Sequence, residues 1–237
     1  MNKKCFIFDL DGVIVDTAKY HFLAWKNLAN SIGVDFSHAQ NEQLKGVSRE
    51  QSLKKILDWG NTILSDSNFQ DLMRKKNEAY LNYIATMNRS ELLPDVERTI
   101  NFLIEMNQFV TLGSASKNAR PILVKTNLLE AFDAIVDGND VTEAKPNPEV
   151  FLKAALLTNT QPNHCIVFED SVAGIQAANA AGMISIGIGN ENILSEAMYN
   201  FTDFTELSNS FLEFSYLAPI LSYFRSISSI SFFDIEL

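Results

Sequence analysis

Two carboxylates, Asp9 and Asp11, stand two residues apart in Phe8-Asp9-Leu10-Asp11-Gly12-Val13-Ile14-Val15-Asp16-Thr17, directly after an apolar run. At the C-terminal end of a strand in an open α/β sheet, such a pair can converge on one ligand. Gly12 lets the chain turn sharply away. The chemistry this allows is attack by Asp9 on phosphorus, with Asp11 as general acid and base for the transferred oxygen, which divides one hard displacement into two easier ones. Taken alone, the same residues would also serve as a polar strand-to-loop junction.

Four further pieces follow in chain order. Ser114 opens Ser114-Ala115-Ser116-Lys117-Asn118, whose hydroxyls and backbone N–H groups suit phosphate oxygens at a helix start, or an ordinary helix cap. Lys145 precedes the rigid turn Pro146-Asn147-Pro148, where an ammonium could neutralise phosphate; a solvated surface lysine is the plainer reading. Glu169 and Asp170 precede Ser171, and as hard oxygen donors they suit Mg²⁺ better than zinc, although a capping box would look similar. Finally, His21 falls four residues before Trp25 on an apolar stripe, and Lys76 lies among Leu72, Met73 and Tyr80 on another. A satisfied core histidine and a snorkelling lysine are the bland alternatives.

To bring these residues together the chain needs a sheet. Apolar runs at 4–8, 109–113, 134–136, 164–168 and 183–188, separated by helical patterns, predict a parallel sheet with crossover helices. About a hundred residues without a strand pattern separate the first run from the second, far more than a crossover requires. Three amphipathic stripes lie there, Trp25-Leu28-Ala29-Ile32, Leu53-Ile56-Leu57 and Leu72-Met73-Tyr80-Ile84, which predicts an inserted helical cap entered near Asp16 and left near Met87.

With 46% hydrophobic and 20% charged residues, the 237-residue chain is expected to be globular. A formal charge of -10 argues against nucleic acid as a partner, and an anionic substrate must then be held by a few placed Lys and Arg residues. Cys5 and Cys165 are too few for a disulfide framework, and each lies in an apolar run, so a reducing, cytoplasmic setting is expected. Every long apolar stretch is broken by charge, so no membrane span is expected.

The order Asp-x-Asp, Ser, Lys, acidic pair, each after its own strand, resembles the haloacid dehalogenase superfamily. Thr17-Ala18-Lys19-Tyr20-His21-Phe22-Leu23-Ala24-Trp25-Lys26 and Asn41-Glu42-Gln43-Leu44-Lys45-Gly46-Val47-Ser48-Arg49-Glu50 resemble the cap of its β-phosphoglucomutase branch. The resemblance implies a Rossmannoid α/β core at 1–16 and 88–217, a helical cap at 17–87 and a C-terminal extension at 218–237. It implies one Mg²⁺ per chain, held by Asp9, the Asp11 carbonyl, Glu169 and Asp170, and an Asp9 phosphorylated beside Ser114 and Lys145. It places a small phosphorylated sugar against Thr17, His21, Trp25, Gly46, Val47, Ser48, Arg49, Ser52, Lys76 and Ala115, with the second phosphate on Arg49, Ser116, Lys117 and Asn118. His21 and Lys76 would face the site, meeting substrate hydroxyls and orienting Asp11. The implied enzyme is an isomerase, a monomer primed by β-glucose 1,6-bisphosphate.

A sugar-phosphate or phosphoglycolate phosphatase would use the same core residues, with water as acceptor instead of a sugar hydroxyl. A binding protein that had lost the chemistry is the reading from another class. The tail lies beyond the resemblance; Leu217, Ile220, Leu221, Phe224 and Ile227 predict an amphipathic helix over 217–227, docked on the core away from the cap.

Overall fold

The structure, a computed structural model, describes residues 3–213; the expected tail helix lies outside them. Six strands form one parallel sheet: β1 (Cys5–Phe8), β2 (Phe109–Gly113), β3 (Ala134–Val136), β4 (Cys165–Glu169), β5 (Ile184–Ile188) and β6 (Tyr199–Phe201), in the spatial order β3-β2-β1-β4-β5-β6. Parallel strands covered on both faces need no polar alternation. Accordingly all four residues of β1 are buried. β1 lies between β2 and β4, so the strand order reverses beside it, and the crevice at such a reversal is where α/β sheets bind ligands.

Five strands fall on the expected apolar runs, with bounds shifted by a residue in three of them. The sixth is a finding: three half-buried residues at the sheet edge are too few to display a period. Four α-helices fall within 17–87, where three stripes were legible: α1 (Ala18–Ser31), α2 (His38–Glu42), α3 (Arg49–Trp59) and α4 (Asp66–Ile84). The extra helix, α2, is too short for a stripe and is set by a capping box between Ser37 and Gln40. Among the described residues, no helix is long and apolar enough to cross a membrane.

The two-residue period of β1 divides the core. Phe6 and Phe8 enter one cluster with Phe168 and Phe204, the Phe8 and Phe168 rings lying 4.7 Å apart. Cys5 and Ile7 enter the other, with Phe151, Cys165 and Val167. Cys5 and Cys165 are register partners, buried and free. The third cluster lies within the cap, around Trp25, Leu28, Phe36, Leu53 and Ile56. Ala24, Tyr80 and Ile84 join the first cluster instead, so α1 and α4 rest partly on the sheet domain.

The chain enters and leaves the cap side by side. The Asp16 N–H donates to the Glu91 carbonyl and the Leu93 N–H to the Ile14 carbonyl, each at 3.0 Å, while Val15 bridges Leu92 antiparallel. Tyr20 and Lys19, in the first turn of α1, hold the Glu91 carboxylate at 3.0 and 2.8 Å.

Candidate active site

The C-terminal ends of β1 and β4 deliver Asp9 and Glu169 to the same edge, and Lys145 rises between them. Its ammonium lies 2.6 Å from Asp9 Oδ1 and 2.5 Å from Glu169 Oε1. All three side chains are buried, Lys145 to 1% exposure. Burial alone would lower the Lys145 pKa, but the Asp9 and Glu169 carboxylates outweigh it and hold it above the ordinary lysine value. Glu169 Oε2 accepts from the backbone N–H and the hydroxyl of Ser171, which caps the helix Val172–Ala180. Ser114, one residue beyond β2, accepts from the Ser116 N–H at 3.1 Å, so the 114–118 loop is braced by its own hydroxyls.

Asp11 is held from the cap side. Burial would raise its carboxyl, but His21 and the Thr17 hydroxyl, which donates to Oδ1, bring it below the ordinary carboxylate range. His21 Nδ1 lies 3.0 Å from Lys76 Nζ, and its Nε2 lies 3.7 Å from Asp11 Oδ2 with no hydrogen-bond partner among the described residues. When Lys76 is protonated it only donates, so Nδ1 then accepts and the ring proton sits on Nε2, the nitrogen nearer Asp11. Lys76 is 3% exposed and lies over the rings of Trp25 and Tyr80 at 4.6 and 4.9 Å. Burial, reinforced by Arg49, brings its pKa down to about 7.

These groups surround a cavity of about 270 Å³ between sheet edge and cap. Of the residues expected at the site, Asp9, Asp11, His21, Trp25, Gly46, Val47, Ser48, Arg49, Ser52, Lys76, Ser114, Ala115, Ser116, Lys117 and Asn118 line it. Ser48 also caps α3, which makes Arg49 its first residue. Thr17 departs from expectation: it is fully buried and touches Asp11, so it positions that carboxylate and does not face the cavity. Glu169 departs too, since both its oxygens are engaged by Lys145 and Ser171.

Three residues at the site were not singled out. Lys45 pairs with Asp170, Asn77 of α4 accepts a hydrogen bond from Asn118 at 3.1 Å, and the Tyr80 ring lies tilted against His21 with centroids 4.2 Å apart. Lys45 and Tyr80 stood inside the quoted patterns, and only their long-range partners give them roles. Gly46, at φ +70°, lets the Lys45 loop press on the core: a Cβ there would collide with Ser171 Oγ. Gly12, at φ +85°, similarly leaves room for the Asp170 carboxylate.

Among the described residues no three His, Cys, Asp or Glu side chains form a ready-made metal cage. The donors nevertheless fit a hard cation that keeps water among its ligands. Burial pushes the Asp170 carboxyl up to about 7 against the pull of Lys45, with Glu169 adding to the rise. Burial likewise raises Asp9, opposed by Lys145 and assisted by Glu169, Asp11 and Asp170. The strand ends carry more negative charge than two lysines comfortably balance, a deficit that a divalent cation on Asp9, the Asp11 carbonyl and Asp170 would relieve.

Residues 6–188 match the model of the haloacid dehalogenase-like hydrolase family. The chain is 43% identical over 188 residues to a β-phosphoglucomutase of Bacillus subtilis, covering 78% of this chain and 83% of that one. It is 32% identical over 182 residues to a fructose-1-phosphate phosphatase of Escherichia coli, covering 77% and 94%. A solved β-phosphoglucomutase from Clostridium difficile superposes with a TM-score of 0.89 at 37% identity, covering 93% of this chain and all of that one.

Proposed function

Because the chain belongs to the haloacid dehalogenase-like hydrolase family, we propose that this cavity carries out phosphoryl transfer through Asp9, with the activity of a β-phosphoglucomutase. The enzyme is an isomerase that interconverts β-glucose 1-phosphate and glucose 6-phosphate. The observation that carries this reading is that one cavity holds both a carboxylate backed by a lysine and two cationic side chains with no carboxylate partner. Asp9 lines it with Lys145 2.6 Å behind, and Arg49 and Lys117 line it with no carboxylate in ion-pair range among the described residues. A bisphosphate held in two flipped orientations needs both.

Asp9 attacks phosphorus while Lys145 holds its carboxylate in place. Ser114 and the braced 114–118 backbone meet the transferring phosphate oxygens. Asp11, oriented by Thr17 and His21, gives a proton to the leaving oxygen and takes one from the incoming sugar hydroxyl. Arg49, Ser116, Lys117 and Asn118 bind the distal phosphate, with Arg49 offering a bidentate fork. His21 and Lys76 meet sugar hydroxyls. Mg²⁺, one per chain on Asp9, the Asp11 carbonyl and Asp170, would offset phosphate charge when bound. Glu169 acts behind these ligands by fixing Lys145.

The boundaries 1–16 and 88–217 for the core and 17–87 for the cap, a monomeric state, a cytoplasmic setting and priming by β-glucose 1,6-bisphosphate belong to the same reading. The similarity to a sugar-phosphate phosphatase makes water the rival acceptor. Purified protein given β-glucose 1-phosphate, Mg²⁺ and trace β-glucose 1,6-bisphosphate should yield glucose 6-phosphate. Free phosphate as the main product would establish the phosphatase instead.

A further inference from the structure

Lys45 reaches from the cap to the core, and the reaction above gives it no task. Its ammonium lies 3.1 Å from Asp170 Oδ2 and 3.1 Å from Glu42 Oε2. Lys145 is committed to Asp9 and Glu169, so Lys45 is the cation within ion-pair distance of Asp170 among the described residues. The Asp170 side chain is only 9% exposed, which makes its charge costly to leave unpaired.

Lys45 also stands where two cavities meet. It lines the catalytic cavity, and it lines a second one of about 330 Å³ together with Gly12, Asp16, Glu42, Asp170 and Asp203. A cation drawn into that acid-lined space reaches Asp170 with an ammonium already on it. Gly46, pressed against Ser171, fixes the loop close enough for this contact.

We propose that Lys45 is a built-in competitor for Mg²⁺: its ammonium occupies Asp170 when metal is absent and is displaced when metal binds. The inference rests on Asp170 being a metal ligand. Two cations crowding one desolvated carboxylate repel each other. Mg²⁺ affinity is therefore lower than the oxygen donors alone would give. By linkage, metal binding weakens the hold of the cap loop on the core by the same factor.

Calorimetric Mg²⁺ titration of the full chain tests this with wild type, Lys45→Met, Asp170→Asn and the double variant, each checked for folding by circular dichroism. Lys45→Met keeps the apolar stem, and Lys45→Gln serves as a second variant with the same expectation. Removing the charge should tighten Mg²⁺ binding about fivefold or more, in keeping with a half-buried charge pair. Asp170→Asn should weaken binding about tenfold or more, and in its background the Lys45 exchange should change affinity less than about twofold. Unchanged or weaker binding in Lys45→Met and Lys45→Gln, with Asp170→Asn still impaired, would overturn the competitor and leave the metal assignment standing. Undiminished binding in Asp170→Asn would overturn the assignment itself.

Discussion

On the core side of the cavity, Asp9, Lys145 and Glu169 are buried at strand ends, and Lys145 has a carboxylate on each side. On the cap side, Arg49 has no carboxylate in ion-pair range among the described residues, His21 Nε2 has no hydrogen-bond partner there, and Lys76 is buried with its pKa lowered. The first half is assembled by folding alone; the second holds polar groups whose needs a bound sugar phosphate would meet. The contrast assigns chemistry to the half that must not move and recognition to the half that the ligand completes.

The sharpest way to break the contrast is Asp9→Asn. It removes the nucleophile while Lys145 keeps Glu169, so turnover should fall on the order of 10³-fold or more with the fold intact. Residual mutase activity near wild type would remove Asp9 from the reaction. Next comes Lys145→Met, which leaves two buried carboxylates facing each other. Denaturant unfolding should show a loss of about 3 kcal/mol, because an abandoned buried charge costs more than its pair contributed.

On the cap side the effects should be smaller and selective. Arg49→Ala should reduce bisphosphate-primed turnover by about 10- to 100-fold, the worth of one charge-assisted contact, while hydrolysis of a small phosphate monoester changes less than about threefold. Equal losses would argue against a distal phosphate site. The subtlest effect belongs to Lys76, whose pKa falls from 10.5 to about 7 on folding. Between those pH values the unfolded chain binds the extra proton, so this residue makes stability rise with pH across that window. Thermal melts from pH 7 to 10 should show that rising contribution in wild type and lose it in Lys76→Met.

The same contrast explains what could be read from the sequence. Asp9, Ser114, Glu169 and Asp170 each follow an apolar run, so local pattern locates them, and the parallel topology then gathers them at one edge. The Lys45–Asp170 pair and the Asn77–Asn118 bridge join residues far apart in the chain, and no periodicity encodes them. Thr17 was expected at the substrate because its neighbours are; only burial reveals that its hydroxyl faces Asp11. Residues such as α2 and β6 provide were hidden by shortness, since neither spans enough positions to show a repeat.

The paired strands at the base of the cap set a mechanical rule. A single strand would tether the cap as a string holds a kite, with swivel and tilt equally free. Here two backbone hydrogen bonds and the Val15–Leu92 bridge weld the outgoing and returning chains into a ribbon, and Glu91 ties the first turn of α1 to it. A ribbon resists twisting and shearing within its own plane but bends readily across it. A swing across the ribbon is the motion these bonds oppose least, and such a swing would carry Arg49 and Asp9 relative to each other along one path. On the proposed reading, registration of the two phosphate sites depends on a few residues at 14–16 and 91–93, which touch neither phosphate.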